Sequence, residues 1–190
     1  MTLKIISGIA RGRALKTLPM NDLSIRPMLY RVKKSVFDII KLKILHSVFI
    51  DLFAGVGSVG IEAISRGAKT VVFVELSKIS LSLIRYNVNK LNFNDKSKII
   101  RCDIVKNFSI LKGKYDIIFV APPYRDKNGN MLNLTSCVLK NSVKYNILKT
   151  NSLLITQRHA SETVEKIDGI NCFRSEKYGD TLVSFYNKCL

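Results

Sequence analysis

From residue 47 onward the chain alternates short apolar runs with segments of helical period, and that alternation leaves few folds open to it. SVFIDLF (47–53), TVVFVE (70–75), KSKIIRCD (96–103), YDIIFVA (115–121) and SLLITQ (152–157) read as strands. Between them, GSVGIEAISRG begins and ends on glycine as a helix does, and Leu81, Ile84, Val88 and Leu91 recur at helical spacing. A short helical or irregular stretch follows the third strand, a helix is predicted over roughly 131–146, and NCFRSEKYG with DTLVSFY forms a closing antiparallel pair. Strand–helix alternation implies an α/β fold with a mostly parallel sheet covered on both faces. Loops leaving the carboxyl ends of such strands form the ligand crevice.

Ahead of this unit, LKIISG and RALKTL flank IARG, with Gly8 and Gly12 as turn residues, and predict a basic two-stranded hairpin over residues 1–20. The main domain then spans 21–190. Pro27 opens a predicted helix on which Leu29, Val32, Val36, Phe37, Ile40 and Ile44 share one side, and Arg31, Lys34 and Lys41 another.

The formal net charge of +17 implies a polyanionic partner, RNA or DNA. A composition rich in Lys, Asn and Ile raises the charge by itself, so the location of the cations decides. No apolar run approaches the ~18–20 residues of a membrane span, and Arg11, Arg13 and Lys16 follow too short an apolar start for a signal peptide. Cys102, Cys137, Cys172 and Cys189 lie far apart, and only His46 and His159 could join them, so no metal site is expected. The expectation is a reduced, cytoplasmic protein, with nothing that demands a dimer.

IDLFAGVGSVG carries Gly55-x-Gly57-x-x-Gly60, with Glu75 where a ribose-binding acid belongs. A nicotinamide or flavin enzyme is therefore a competitor. Asp51 argues against it: at the strand's end it would repel a pyrophosphate in a poorly screened crevice, whereas it would welcome a ligand with a cationic amino group. S-adenosylmethionine supplies an ammonium, a sulfonium and no phosphate. Glu75 can accept from its ribose hydroxyls and Asp103 from its adenine amine. The rival reading of such acids is ordinary capping.

The fourth strand ends at Ala121, Pro122, Pro123 and Tyr124, a stiff corner with an aromatic ring behind it. DLFAGVGSVGIEAISRGA with a downstream Pro-Pro-Tyr resembles the class I S-adenosylmethionine-dependent methyltransferases that act on planar amines. With IISGIARGRAL, IRPMLYRVKKSVFDII and YGDTLVSFY, the resemblance narrows to the RsmD family and runs from residue 4 to about 187. It implies a Rossmann-like, seven-stranded, mostly parallel sheet with an antiparallel last strand plus the N-terminal hairpin. It also implies methylation of N2 of a guanine in 16S rRNA of the small ribosomal subunit, leaving S-adenosylhomocysteine. The implied cofactor set is Asp51, Phe53, Ala54, Gly55, Gly57, Glu75, Leu76, Asp103 and Ile104. Tyr124 would stack on the base, and the Pro122 carbonyl would accept one amine proton. Arg11, Arg13, Arg26, Arg31 and Lys34 become phosphate contacts beside the crevice.

The chain departs from the family at Ala121, where the family carries Asp as second acceptor for the amine. A slower enzyme, substitution by Asp126, and a cofactor- and RNA-binding factor without turnover all remain open. Adenine-N6 and glutamine methyltransferases share the corner but usually carry a dedicated recognition domain, for which 190 residues leave little room.

Overall fold

The computed structural model describes residues 3–18 and 28–189. The predicted runs become β1 (Val48–Leu52), β2 (Thr70–Glu75), β3 (Ser97–Arg101), β4 (Tyr115–Val120) and β5 (Leu148–His159), followed by β6 (Ile170–Tyr178) and β7 (Thr181–Lys188). They form one seven-stranded sheet in the order β3-β2-β1-β4-β5-β7-β6. The first five strands pair in parallel, and β7 is antiparallel to both β5 and β6. The strand order reverses between β1 and β4, which is where an α/β sheet opens its ligand crevice.

The helices are α1 (Tyr30–Ile39), α2 (Lys41–Ile44), α3 (Ser58–Ser65), α4 (Lys78–Lys90) and α5 (Thr135–Lys144). One core joins Val32, Val36 and Phe37 of α1, Ile61 and Ile64 of α3, and Ile84 and Val88 of α4 to Phe49, Phe73, Phe119 and Ile155 of the sheet. A second core lies on the other face, where Val138 and Leu139 of α5 meet Ile50, Val74, Ile118 and Leu154. No helix among the described residues is long and apolar enough to cross a membrane.

Three boundaries differ from the sequence reading. The first helix breaks at Ile40, whose φ of −93° and ψ of 8° leave the helical range, so α1 and α2 are separate. The last helix begins at Thr135 rather than 131, and β5 begins at Leu148, ahead of SLLITQ, with an irregularity in its pairing with β4 between Leu148 and Leu153. Pro27 and Arg26 lie outside the described residues.

The N-terminal segment pairs with itself as expected, through an antiparallel bridge between Lys4 and Ala14 and the bond from Leu15 N–H to the Leu3 carbonyl at 2.8 Å. It is also built into the first core: Ile5, Ala10 and Leu15 are buried there. Its backbone is clamped from below. Glu62 of α3 accepts from the Ile6 N–H at 2.8 Å and the Ser7 N–H at 3.0 Å. Ser65 donates to the Ser7 carbonyl and accepts from the Ala10 N–H. The same Glu62 carboxylate pairs with Arg66 Nε at 2.8 Å and Lys33 Nζ at 3.6 Å. Both Lys33 and Glu62 are fully buried, and burial lowers the Lys33 pKa against the opposing pull of Glu62. One side chain thus joins the hairpin, α1 and α3. Removing one partner of a buried pair costs far more than the pair contributes, because a charge is stranded out of water. Glu62→Ala strands Lys33 and orphans two backbone donors, and is expected to cost about 3–5 kcal/mol in denaturant unfolding. Lys33→Met should cost much less, since Glu62 keeps Arg66 and both backbone donors; equal losses would contradict this arrangement.

Candidate active site

The crevice is set by how closely α3 approaches the sheet. A Cβ on Gly60 would stand 2.3 Å from Phe73 Cε1 and 2.8 Å from Val71 Cγ1, so only glycine fits that turn of the helix. At the same turn the Gly60 N–H donates to Asp51 Oδ2 at 2.9 Å. The chain leaving β1 then folds tightly. Phe53, Gly55 and Gly57 all have positive φ (64°, 54° and 81°), the Ala54 N–H bonds to the Val74 carbonyl, and Gly57 caps α3.

Asp51 is 1 % exposed. Burial pushes its carboxyl up to about 7, opposed by the Gly60 N–H and reinforced by the charge of Glu75. Its Oδ1 has no hydrogen-bond partner among the described residues. Glu75, at the tip of β2, accepts from the Gly55 N–H on Oε2 and from the Leu76 and Ser77 N–H groups on Oε1, all at 2.8 Å. A carboxylate oxygen has two lone pairs; Oε1 is therefore full, and Oε2 has one left for a ligand hydroxyl. Leu76 stands half-exposed beside it.

Strand register turns the three acids into a staircase. Asp51 lies opposite Phe73, two residues before Glu75, and Glu75 lies opposite Arg101, two residues before Asp103. Each acid is one step further out than the last across three adjacent strands. Asp103 also caps its own turn: Oδ1 accepts from the Val105 N–H at 3.2 Å, and Lys106 Nζ stands 3.9 Å from Oδ2. The capping reading of Asp103 is thus met at Oδ1. Ile104 is buried, with its side chain in the second core.

At the end of β4, Ala121 packs against the first core and its N–H reaches the Leu52 carbonyl at 3.4 Å. Pro122 is buried and Pro123 is exposed. The Tyr124 hydroxyl is held by Gln157 Nε2 at 3.1 Å and Thr181 Oγ1 at 3.4 Å, and His159 meets the ring edge-on at 5.8 Å. Gln157 carries no signal in the sequence beyond its place at the end of a buried strand, and His159 stands out there only as a possible metal ligand. Thr181 belongs to the quoted YGDT segment, and so does Tyr178, whose hydroxyl makes a close hydrogen bond to Ser35 of α1. The turn between β6 and β7 therefore ties α1 to the corner. Asp126 is committed elsewhere. It accepts from the Asn128 and Asn130 N–H groups at 2.8 and 2.9 Å and from Asn130 Nδ2 at 3.0 Å, which holds its carboxyl below the usual range. It does not turn to the corner.

The cations divide. Arg31 and Lys34 are exposed on α1 along a shallow groove shared with Tyr30, Ser35, Asp38 and Ile39, where Lys34 pairs with Asp38 at 2.6 Å. Arg11 and Arg13 are exposed on the hairpin turn, but that turn sits on Ser65, at the opposite end of α3 from the glycine loop. The structure thus does not place these two arginines directly beside the crevice.

A family model described as Conserved hypothetical protein 95 matches residues 3–187. Two relatives named Ribosomal RNA small subunit methyltransferase D are each 31% identical to the chain. That of Buchnera aphidicola subsp. Acyrthosiphon pisum is matched over 89% of this chain and 90% of its own length. That of Haemophilus influenzae is matched over 90% and 91%. A crystal structure from Haemophilus influenzae, described as a candidate methylase, superposes with a TM-score of 0.81 at 26% identity, covering 99% of each chain.

The raised Asp51 pKa has two measurable consequences. Between the ordinary 3.8 and about 7, the folded chain holds a proton that the unfolded chain releases, so stability falls as pH rises through that window. Asp51→Asn, which can still accept from Gly60, should therefore raise Tm at pH 8. A ligand ammonium beside Asp51 favours the ionised form, so S-adenosylhomocysteine should bind more tightly at pH 8 than at pH 6, with proton release in calorimetry. Asp51→Asn should weaken that binding by about tenfold or more. Binding that is independent of both pH and Asp51 would separate this carboxylate from the ligand.

Proposed function

This chain belongs to the RsmD family, and from that premise we propose that it methylates the exocyclic N2 of a guanine in 16S rRNA of the small ribosomal subunit. The observation that carries the reading is the staircase of Asp51, Glu75 and Asp103 across adjacent strand tips, next to the Pro-Pro-Tyr corner. S-adenosylmethionine supplies, when bound, an electrophilic methyl carbon that the amine lone pair attacks, while the carbon–sulfur electron pair stays on sulfur and leaves S-adenosylhomocysteine.

The residues present suit that donor. Asp51 offers its second oxygen, which has no partner among the described residues, to the ammonium and Glu75 one free lone pair to the ribose, while the loop of Phe53, Ala54, Gly55 and Gly57 brings backbone close. Leu76 gives the adenine an apolar side, and Asp103 and the segment at Ile104 lie at its far edge. At the corner, Pro122 and Pro123 stiffen the backbone, the Pro122 carbonyl accepts one amine proton, and the Tyr124 ring stacks on the base. Anchoring of the Tyr124 hydroxyl by Gln157 and Thr181 fixes the plane of that ring before the base arrives. The nitrogen lone pair of a guanine amine is delocalised into the ring, so alignment is the main contribution asked of the protein, and it can supply several kcal/mol toward the roughly 7–11 of ideal intramolecular pairs. No strong base is required, because the methylated nitrogen is acidic and gives its proton to water. Arg31 and Lys34, exposed on α1, form the nearer phosphate contacts; Arg11 and Arg13 reach RNA that flanks the target, and Arg26 belongs to the same basic set. The enzyme is read as a cytoplasmic monomer that uses no metal.

A second reading is a factor that binds cofactor and RNA without turnover. It is favoured by one observation: Ala121 carries no acceptor, and Asp126 is bound into its own turn.

Labelled methyl groups should pass from S-adenosylmethionine to small subunits that lack the modification, and digestion of the RNA should give N2-methylguanosine. Methyl on adenine would contradict the base assignment, and no transfer would favour the binding-only factor. Tyr124→Ala should lower the rate by roughly 10- to 100-fold through lost stacking. RNA affinity should fall steeply with salt; a flat response would remove the phosphate contacts.

A further inference from the structure

An amine with two protons, presented with its lone pair toward the methyl donor, needs two acceptors. The Pro122 carbonyl is one, and Ala121 has none to give. On β5, the neighbouring strand, Gln157 carries an acceptor that nothing occupies. Its Nε2 donates to the Tyr124 hydroxyl at 3.1 Å, while Oε1 is buried with no partner among the described residues. As placed, the amide uses one Nε2 proton on the Tyr124 hydroxyl and leaves Oε1 facing the buried side; turned over, both amide protons would face that side. A buried acceptor left alone is unfavourable wherever nothing arrives to pair with it.

The strand register places this group at the corner. β4 and β5 run parallel, with Phe119 opposite Ile155 and Val120 opposite Thr156. One residue further along each strand stand Ala121 and Gln157. Phe119, Ile155 and Val183, the residue of β7 opposite Gln157, all belong to the first core, and Ala121 packs against it. Ala121 and Gln157 therefore lie on the same face of neighbouring strands, and Gln157 already touches the ring that is to hold the base.

We propose that Gln157 supplies the second acceptor for the target amine, its side-chain carbonyl taking the N–H that Ala121 cannot take. The proposal rests on the methyltransferase reading above and concerns how that site works. The last torsion of a glutamine is broad and soft. A turn about it brings Oε1 toward the amine, while Thr181 remains a partner of the Tyr124 hydroxyl. Oε1 is neutral and so gives the incipient cationic nitrogen a weaker acceptor than a carboxylate would, which predicts an active but slower enzyme.

The test is a set of five proteins, wild type and four variants, assayed for methyl transfer to unmodified small subunits, with S-adenosylhomocysteine binding measured in parallel. Gln157→Met keeps the side-chain length and removes the acceptor. It should lower kcat by about 10- to 100-fold, as for a hydrogen bond to a group gaining charge, with KM and cofactor affinity within about threefold. Gln157→Glu should stay within about tenfold of wild type or exceed it. In the Ala121→Asp/Gln157→Met double variant, the acceptor returns on the other strand but the prop under Tyr124 does not, and activity should recover to at least the wild-type level. If Gln157→Met is as fast as wild type, or if the double variant stays as slow as Gln157→Met, Gln157 is not the acceptor. If the wild type binds S-adenosylhomocysteine and transfers nothing while Ala121→Asp alone transfers, the inference fails and the family reading stands. If neither transfers, the methyltransferase reading fails and takes the inference with it.

Discussion

The contact between α3 and the sheet governs the rest of the molecule. Gly60 lets the helix sit on Phe73 and Val71 at a distance that no side chain permits, and its N–H is taken by a carboxylate buried at the end of β1. With the helix held there, the chain from Leu52 to Gly57 must turn through three residues of positive φ, and its backbone is stitched to β2 by Glu75 through the Gly55 N–H. Asp51 is thereby kept out of water close to a second carboxylate, and burial first, then that neighbouring charge, pushes its carboxyl up to about 7. Such an acid is poorly satisfied until a cation arrives. A crevice made this way favours a positively charged ligand and repels a pyrophosphate, even though its glycine spacing matches both.

Two further ties connect this crevice to the basic hairpin and the basic helix α1. Glu62, one turn below the glycine loop on α3, holds the hairpin backbone and Lys33 of α1 together. At the other end of the sheet, Tyr178 bonds to Ser35 of α1 and Thr181 to Tyr124, so a single β-turn reaches both the basic helix and the corner. The hairpin, α1, the glycine loop and the corner are thus joined by shared packing and hydrogen bonds. That arrangement suits a substrate whose backbone is gripped at one place and whose base is presented at another.

Much of this was legible in the sequence because it depends on local pattern. β2 falls on the run TVVFVE, and the antiparallel close follows from YGDT between two alternating segments. The order of Asp51, Glu75 and Asp103 could be read because each ends a strand. What could not be read depends on partners far apart in the chain. Lys33 lies beside Arg31 and Lys34 and looks like another solvated cation, yet its partner Glu62 is 29 residues away and both are buried. The position of Arg11 and Arg13 follows from Ser65 seizing the hairpin turn, which no local signal announces. Asp126 looked free to replace the acceptor missing at Ala121 until its own turn claimed it, whereas Gln157 became visible only once β4 and β5 were laid side by side.

The most direct test is a crystal structure of the chain with S-adenosylhomocysteine. The ribose should bond to Glu75 Oε2, the ammonium should approach Asp51, and the sulfur should face the Pro122–Tyr124 corner. A ligand seated elsewhere, or one bound with both carboxylates still turned wholly to their backbone partners, would contradict the site described.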